Sequence, residues 1–308
     1  MLFELQGINQ HYGAFQALTD VTVAVRPGVV GLLGPNGSGK STLIKTLLGM
    51  LEPTSGHGKV LGQDVRSQSL AIRERVGYMP EHDAYFADLT GFESVVYAAR
   101  LSGLPRRHAF RRAHEVLDYV GMEEARYREV QGYSTGMRQR IKLAQALVHG
   151  PQLVFLDEPT NGLAPKGREE MLGLIGDLGR IPVNVLLSSH VLHDVEAVCD
   201  AVLLLQGGQV KHYGPLRDLL TTKGGEYELQ VRTGGPQLSQ ALTTAGFQVA
   251  TPNPLDLDRL VVVIPSEEAI DALWAAVIAL DLQVRHFAPL TVSLERAFVD
   301  LVEPGAHA

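Results

Sequence analysis

A glycine-rich stretch at residues 34–42 has the residue types of a phosphate-binding loop. It follows the apolar run 29–33, which predicts a short buried strand, and it precedes the run 43–48, which predicts a helix. Strand, glycine loop and helix are the context in which the pattern G-x-x-x-x-G-K-[ST] binds phosphate. The loop consists of Gly34, Pro35, Asn36, Gly37, Ser38, Gly39, Lys40, Ser41 and Thr42.

The chemistry expected of this loop follows from its residue types. Glycines allow turns that other residues avoid, so successive N–H groups can point into one concavity. The N-terminus of the following helix adds unsatisfied donors and a positive dipole end. We expect Lys40 to reach the β- and γ-phosphates and Ser41 to offer its hydroxyl to Mg²⁺. A glycine-rich turn without a ligand is the alternative, and the flanking elements make it the weaker one.

Two adjacent acids follow another apolar run, residues 153–156, which predicts a buried strand. In open α/β sheets ligands bind at the carboxyl ends of the strands. Asp157 suits an indirect contact with Mg²⁺, and Glu158 could orient and deprotonate an attacking water. Paired acids on surface turns are common. Their place downstream of a phosphate loop is what favours a nucleotide-hydrolysing site.

Two further residues have both a functional and an ordinary interpretation. His190 follows the apolar run 183–187, so it can contact a γ-phosphate or support the water, or it can cap the helix expected from residue 191. Tyr12 lies just upstream of the phosphate loop and could stack on an adenine. Alternatively, it is a surface aromatic before a glycine turn.

Ser134 is the expected N-cap of an amphipathic helix whose apolar residues 137, 141, 144 and 148 recur at the helical period. Capping by Ser134 leaves the N–H groups of Thr135 and Gly136 free to bind an anion. Taken alone, this segment is a capped helix and nothing more.

The bulk composition indicates a globular protein of ordinary polarity. The chain has 308 residues, 45% hydrophobic and 20% charged, with a net charge of −7 and a single cysteine, Cys199. The absence of a basic stripe argues against a nucleic-acid partner. One cysteine cannot form an intramolecular disulfide, and no run approaches the roughly 18 apolar residues of a membrane helix. With no signal peptide at the N-terminus, we expect a cytoplasmic chain that touches a membrane only through a partner.

The order of the remaining segments predicts two domains. Strands at 2–8 and 21–25 are expected to form a meander with its turn at Thr19 and Asp20. A helix-rich block spans roughly 90–130, and residues 221–225 read as a domain joint. Beyond it we expect a small α+β unit, with Trp274 in its core and a last helix at 291–302.

Taken together, these residues resemble the ATPase subunit of an ATP-binding cassette (ABC) transporter over residues 2 to about 220. Tyr12 matches the adenine-stacking position, and residues 78–81 match the loop that senses the membrane partner. His190 matches the switch histidine. The remaining matches are residues 34–42 with Walker A, 134–140 with the signature motif and 153–159 with Walker B. A lone Walker A would leave kinases and GTPases open, but the signature motif belongs to this family almost exclusively.

The resemblance implies an α/β fold, a P-loop NTPase cassette with a RecA-like core, an antiparallel β subdomain and a helical subdomain at about 85–150. The nucleotide-binding domain would span 1–222, and an α+β accessory domain 223–308. ATP and Mg²⁺ are the implied cofactors. The implied catalytic residues are Glu158, His190 and Lys40, and the implied metal site consists of Ser41, Glu81 and Asp157.

The resemblance also implies partners. Ser134, Thr135 and Gly136 of one subunit would close over the ATP held by Lys40 of a second ABC subunit, more readily a homodimer than a heterodimer. A separately encoded membrane-spanning permease would dock around Glu81 and residues 88–102.

Three positions depart from the family pattern. Glu81 stands where Gln is usual, Thr135 replaces a signature glycine, and Ala164 stands where Asp is usual. The first two, and the C-terminal extension, are similar to the exporter branch that includes antibiotic- and drug-resistance pumps. We therefore expect an ATP-driven export engine. The alternatives are a non-transport ABC ATPase of translation or DNA repair, and an ATP-binding regulator with little turnover because of Ala164. A P-loop kinase is disfavoured because it would leave the signature motif and His190 without a role.

Overall fold

The computed structural model describes residues 1–82, 86, 88–220, 225–253, 256–290 and 294. The described residues separate into two compact units, the first ending at Leu216 and the second starting at Arg217. Of the joint expected at 221–225, only Gly225 is described. No helix in the described part of the chain is long and apolar enough to cross a membrane.

The first unit contains two sheets and a helical block. Its strands are β1 (Phe3–Tyr12), β2 (Phe15–Val25), β3 (Val29–Leu33), β4 (Ser55–Val60), β5 (Gln63–Asp64), β6 (Val76–Met79), β7 (Leu153–Asp157), β8 (Asn184–Ser188), β9 (Ala201–Gln206) and β10 (Gln209–Pro215). Its helices are α1 (Lys40–Leu47), α2 (Ser69–Arg73), α3 (Gly91–Leu101), α4 (Arg106–Tyr119), α5 (Thr135–Leu147), α6 (Pro165–Leu178) and α7 (Leu192–Val198), and α8 (Leu216–Leu220) contains the division between the units.

The central sheet has the order β10-β9-β3-β8-β7-β6, and all its pairs are parallel except β9 with β10. Every residue of β3 and β7 is buried, as expected of parallel strands covered on both faces. Because the strands run in the same direction, the carboxyl ends of β3, β6, β7 and β8 lie at one edge of the sheet. The segments that follow them carry the predicted site residues.

The second sheet of this unit is antiparallel, with the order β2-β1-β4-β5. The turn between β1 and β2 falls at residues 13–14, with Tyr12 paired to Phe15, so the turn predicted at Thr19 and Asp20 is wrong. Asp20 has the turn-like φ of 46°, but its N–H donates to the Asn9 side chain at 2.9 Å and the strand continues. A local irregularity inside β2 therefore takes the place of the expected reversal.

One hydrophobic cluster joins the two sheets of this unit. It contains fully buried residues of β1, β3, α1 and β7, including Phe3, Leu32, Leu43 and Phe155. The helix that follows the glycine loop is thus fixed from both sides, and the loop is held at the sheet edge.

The helical block contains α3, α4 and α5, together with 3-10 turns at Glu123–Tyr127 and Val130–Gly132. Helix α3 begins with a capping box in which Thr90 and Glu93 exchange side-chain and backbone hydrogen bonds. It packs against both α4 and α5. The residues predicted as a helix-rich block are therefore helical, with α5 as the shared support.

The second unit contains β11 (Glu226–Val231), α9 (Gly235–Thr244), β12 (Gln248–Ala250), β13 (Arg259–Val263), α10 (Glu267–Ala279) and β14 (Val284–Pro289). Its antiparallel sheet has the order β12-β13-β11-β14, which is the split βαβ arrangement of ferredoxin-like units. Trp274 is only half-buried and meets Phe287 edge-on at 5.1 Å between ring centroids. The helix expected at 291–302 lies outside the described residues apart from Leu294.

Candidate active site

A polar cavity of about 320 Å³ opens at the shared edge of the parallel sheet. It brings together most of the residues predicted to do chemistry. Its lining consists of Phe15, Ala17, Asn36, Gly37, Ser38, Gly39, Lys40, Ser41, Thr42, Glu81, Asp157, Glu158 and His190.

The glycine loop is closely packed against the end of β9 and the turn that follows it. A Cβ added at Gly34 would stand 2.3 Å from the Leu205 backbone oxygen and 2.4 Å from the Ser38 hydroxyl, so only glycine fits there. The Ser38 carbonyl accepts a hydrogen bond of 3.0 Å from the N–H of Gly208, in the turn between β9 and β10. This hydrogen bond ties the loop to the β9–β10 hairpin.

Lys40 is the first residue of α1, and its ammonium group folds back over the loop. The Nζ atom donates to the Gly34 carbonyl at 2.6 Å and to the Pro35 carbonyl at 3.3 Å. Burial lowers the pKa of Lys40, while the carboxylates of Glu158, Asp157 and Glu81 oppose that change. A phosphate entering the cavity offers this group a charged acceptor, which makes a stronger hydrogen bond than a carbonyl.

The two acids lie where the end of β7 meets the cavity, and both are buried. Burial raises the pKa of Asp157, with the Ser188 hydroxyl, the Glu81 carboxylate and the Lys40 ammonium as smaller influences. Burial also raises the pKa of Glu158, and the contact with His190 opposes that rise. Glu158 has a φ of 51°, and its N–H donates to the Ser188 carbonyl at 2.9 Å. A left-handed main chain in a residue other than glycine is strained, and such strain clusters at functional sites.

His190 lies between β8 and α7, and its side chain is directed at Glu158. The Nδ1 atom stands 2.7 Å from the Glu158 Oε2 atom, and 57% of the histidine side chain is exposed. The N-cap residue of α7 is Val191 and no side chain caps this helix, while the Ser189 hydroxyl accepts from the Val191 N–H at 3.0 Å. The helix-capping interpretation of His190 is therefore wrong, and the histidine is a partner of the buried acid.

The aromatic side chain that lines the cavity belongs to a residue that was not predicted from the sequence. Phe15 lines the cavity with 63% of its surface exposed, whereas Tyr12, 47% exposed, does not line it. The two face each other across the β1–β2 turn. A second aromatic directly after a glycine turn was the signal available in the sequence.

The predicted anion-binding helix start lies elsewhere. Ser134 caps α5, its hydroxyl accepting from the Met137 N–H at 3.3 Å. Together with Thr135 and Gly136 it lines a second cavity of about 650 Å³, which also includes Ala164. Within one chain, the phosphate loop and the signature segment thus face separate cavities.

Helix α6 starts without the usual cap. Its N-cap position is Ala164, with the extended backbone of a cap residue but no side chain to bind the free N–H groups, and Pro165 follows at the first helical position. The Ala164 carbonyl accepts from the Arg168 N–H at 3.0 Å.

A buried carboxylate fastens the segment after Glu158 to the elements around it. Asp194 on α7 is fully buried, and it accepts from the Thr160 hydroxyl at 2.5 Å and from the Arg168 guanidinium at 2.6 Å. The chain between β7 and α6 is thereby tied to the helix that follows His190.

Taken together, the first cavity combines a cradle of backbone donors, a cation at its rim, two buried acids and a histidine. This combination can bind a polyphosphate and direct a carboxylate at a water molecule, as phosphoryl transfer to water requires. The roles of the individual residues remain predictions.

Comparison with known proteins gives a consistent picture. A family model described as ABC transporter matches residues 18–161. The uncharacterized ABC transporter ATP-binding protein YdbJ of Bacillus subtilis is 34% identical over 97% of this chain and 94% of its own length. The daunorubicin resistance ATP-binding protein DrrA3 of Streptomyces coeruleorubidus is 34% identical over 90% and 87%, and the linearmycin resistance ATP-binding protein LnrL of Bacillus subtilis is 29% identical over 97% and 98%.

Solved structures agree with the fold. A structure described as the ATP-binding subunit of an ABC transporter superposes with a TM-score of 0.64 at 31% identity, covering 71% of this chain and 92% of that one. The cbiO1 protein of Clostridium perfringens gives 0.65 at 26% identity, covering 71% and 90%. These neighbours confirm the predicted fold class.

Proposed function

The chain belongs to the ABC transporter family as an ATP-binding and ATP-hydrolysing subunit, and we propose that it drives export through a separate membrane-spanning partner. The observation that carries the ATPase role is the convergence of Lys40, Asp157, Glu158 and His190 on one cavity of about 320 Å³. Export is supported by similarity to two resistance proteins that extends over both units of the chain.

The proposed division of labour follows the positions of the side chains. The loop 34–42 binds the phosphates, and Glu158 orients and deprotonates the attacking water while His190 holds the carboxylate in place. We assign Tyr12, which lies outside the cavity lining and is paired with Phe15 across the β1–β2 turn, to the adenine, while Phe15 lines the cavity itself.

A magnesium ion fits the residues present. Ser41, Glu81 and Asp157 line one cavity and offer a hydroxyl and two carboxylates, the hard oxygen ligands that Mg²⁺ prefers. The burial that raises the pKa of Asp157 is the kind of environment in which a carboxylate is stabilised by a nearby cation. Bound there, the ion would neutralise phosphate charge.

A second copy of the chain would complete the site. The signature segment at Ser134, Thr135 and Gly136 faces away from the cavity of its own Lys40, so these N–H groups are available to the nucleotide of another subunit. ATP would then hold two copies together, and we propose a homodimer. Because a ligand shifts an equilibrium only by its differential affinity, ATP must bind the closed dimer much better than the open one.

The surface proposed for the permease lies on the helical block. A groove of about 270 Å³ on α3 and α4 is lined mainly by apolar and aromatic residues, among them Phe92, Tyr97 and Phe110. Tyr97 in this lining packs edge-to-face against Phe86, and both side chains are exposed. Docking there would place the subunit at the inner face of the membrane.

The test uses two substitutions and a control. Glu158→Gln should retain ATP and give a dimer in size-exclusion chromatography, and a chain that stays monomeric with ATP would contradict the shared-nucleotide arrangement. Lys40→Ala should abolish nucleotide binding in calorimetry, whereas Lys59→Ala, on an exposed strand position, should not. The steady-state rate of ATP hydrolysis by the unmodified chain distinguishes a subunit that powers transport from a regulator with little turnover.

A further inference from the structure

A buried lysine in the middle of α5 contacts the loop that carries Glu81 into the active site. Lys142 is 2% exposed. Its Nζ atom donates to the carbonyls of Pro80 and Glu81 at 2.9 Å each and lies 3.4 Å from the carbonyl of His82. These three residues directly follow β6, so one side chain holds a whole turn of the main chain.

The choice of lysine at this position calls for a physical reason. Its neighbours Ile141 and Leu143 are fully buried, and α5 packs against α3, α4, β6 and β7. An ammonium group in such surroundings loses its hydration, which is unfavourable by several kcal/mol unless acceptors replace the water. An apolar residue of similar length would fill the space without that penalty. What the lysine adds is a directional link between helix and loop.

The link leaves the functional side chain of the loop free. Glu81 is exposed and lines the phosphate cavity, while its backbone carbonyl is bound to Lys142. The main chain that carries Glu81 is therefore linked directly to α5. Lys142 lies eight residues from Ser134, about 12 Å along the same helix at 1.5 Å per residue.

We propose that Lys142 is a positioning residue that makes the loop 80–82 and helix α5 move as one body, so that nucleotide in a subunit's own cavity sets the direction of its Ser134 end. The inference rests on the proposed function, in which Ser134, Thr135 and Gly136 contact the nucleotide of a second subunit. Lys142 touches neither nucleotide. It acts through Glu81 on one side and through the helix on the other.

The first measurement is amide hydrogen exchange of the full Glu158→Gln chain at a concentration where it is monomeric, with and without ATP and Mg²⁺. We expect ATP to slow exchange both at the loop amides of Glu81 and His82 and at the start of α5. In Lys142→Met the loop should still respond, whereas the response at the start of α5 should be lost. Lys142→Arg, which keeps the charge and the donors, should retain a large part of it, and Lys59→Met should behave as the parent.

The second measurement is ATP-driven dimerisation of the same variants. Losing hydrogen bonds from a charged group should weaken dimerisation about tenfold or more in Lys142→Met, while ATP affinity of the monomer stays within about twofold. If Lys142 merely supported folding, its replacement would lower the unfolding temperature and weaken ATP binding and dimerisation alike. Lys142→Arg provides the test in the case in which the methionine variant does not fold.

The results separate two failures. If the parent monomer shows no ATP-dependent change at the start of α5, or if Lys142→Met shows the same change as the parent, the coupling role is refuted. If the exchange response depends on Lys142 but the parent never dimerises, the coupling stands and the shared-nucleotide arrangement fails.

Discussion

Replacing Ala164 by aspartate should stabilise the first unit. The position has the backbone of an N-cap but no side-chain acceptor. Ala at an N-cap is about 1 kcal/mol less favourable than Asp, and a negative charge at an exposed helix start adds about 0.3–1 kcal/mol. Because Ala164 is exposed, we take the lower part of the second range and expect a gain of about 1–1.5 kcal/mol. For a unit of this size that corresponds to roughly 2–6 °C in the unfolding temperature, measured by calorimetry of the full chain.

Ala164→Asn separates the two contributions to this gain. Asparagine can cap the helix without a charge, so it should give about 1 kcal/mol that does not depend on salt, whereas the extra part of the aspartate gain should fade at high ionic strength. If neither variant raises the unfolding temperature, the first N–H groups of α6 already have partners, and the account of this helix start is wrong.

Three further changes test the active site and its supports. His190→Ala removes the contact that opposes the raised pKa of Glu158, so the pKa of this carboxyl should rise further. Because the base must be ionised, the acid limb of the pH–rate profile, measured on the residual hydrolysis, should move to higher pH. A move to lower pH would contradict the assignment. Asp194→Ala leaves the two donors of a buried carboxylate without an acceptor and should lower the free energy of unfolding by about 2–4 kcal/mol in urea; a loss below about 1 kcal/mol would show that the network contributes little. Gly34→Ala should abolish nucleotide binding in calorimetry because the added Cβ meets a backbone oxygen at 2.3 Å. At Gly37, where φ is +79° and a Cβ meets no atom within 4 Å, alanine should add about 1 kcal/mol of backbone strain and weaken binding less. Equal losses of affinity in the two variants would refute the packing argument.

The predicted site residues that line one cavity share one property. Lys40, Asp157, Glu158 and His190 each follow a buried apolar run, and parallel strands place their carboxyl ends at one edge of a sheet. Position along the chain is then sufficient to bring these residues to one cavity. The order of the six strands is not needed for that conclusion.

The features that escaped prediction depend on contacts between distant residues. Thr19 and Asp20 have the composition of a turn, but the Asn9 side chain binds the Asp20 N–H and keeps the strand going. Phe15 reaches the cavity because the hairpin turns two residues after Tyr12. Residue propensities depend on neighbours in sequence, so they do not predict a hydrogen bond formed across a sheet.

Lys142 is a second example of this limit. In the sequence its neighbours three and four positions away are Arg138, Gln139, Gln145 and Ala146, so the helical period places it on a mainly polar face. Its acceptors come from residues sixty or more positions earlier. The split βαβ order of the second unit is similar, since a list of strands and helices does not specify which strands are neighbours.

The left-handed main chain at Glu158 has a consequence for anyone engineering this protein for heat resistance. Glycine or asparagine would accept that conformation more readily, and either would delete the carboxylate. Given the role proposed for Glu158, a library sorted on thermal survival alone would therefore enrich chains that bind nucleotide without hydrolysing it. Selections for thermostable variants should therefore keep Glu158 unchanged.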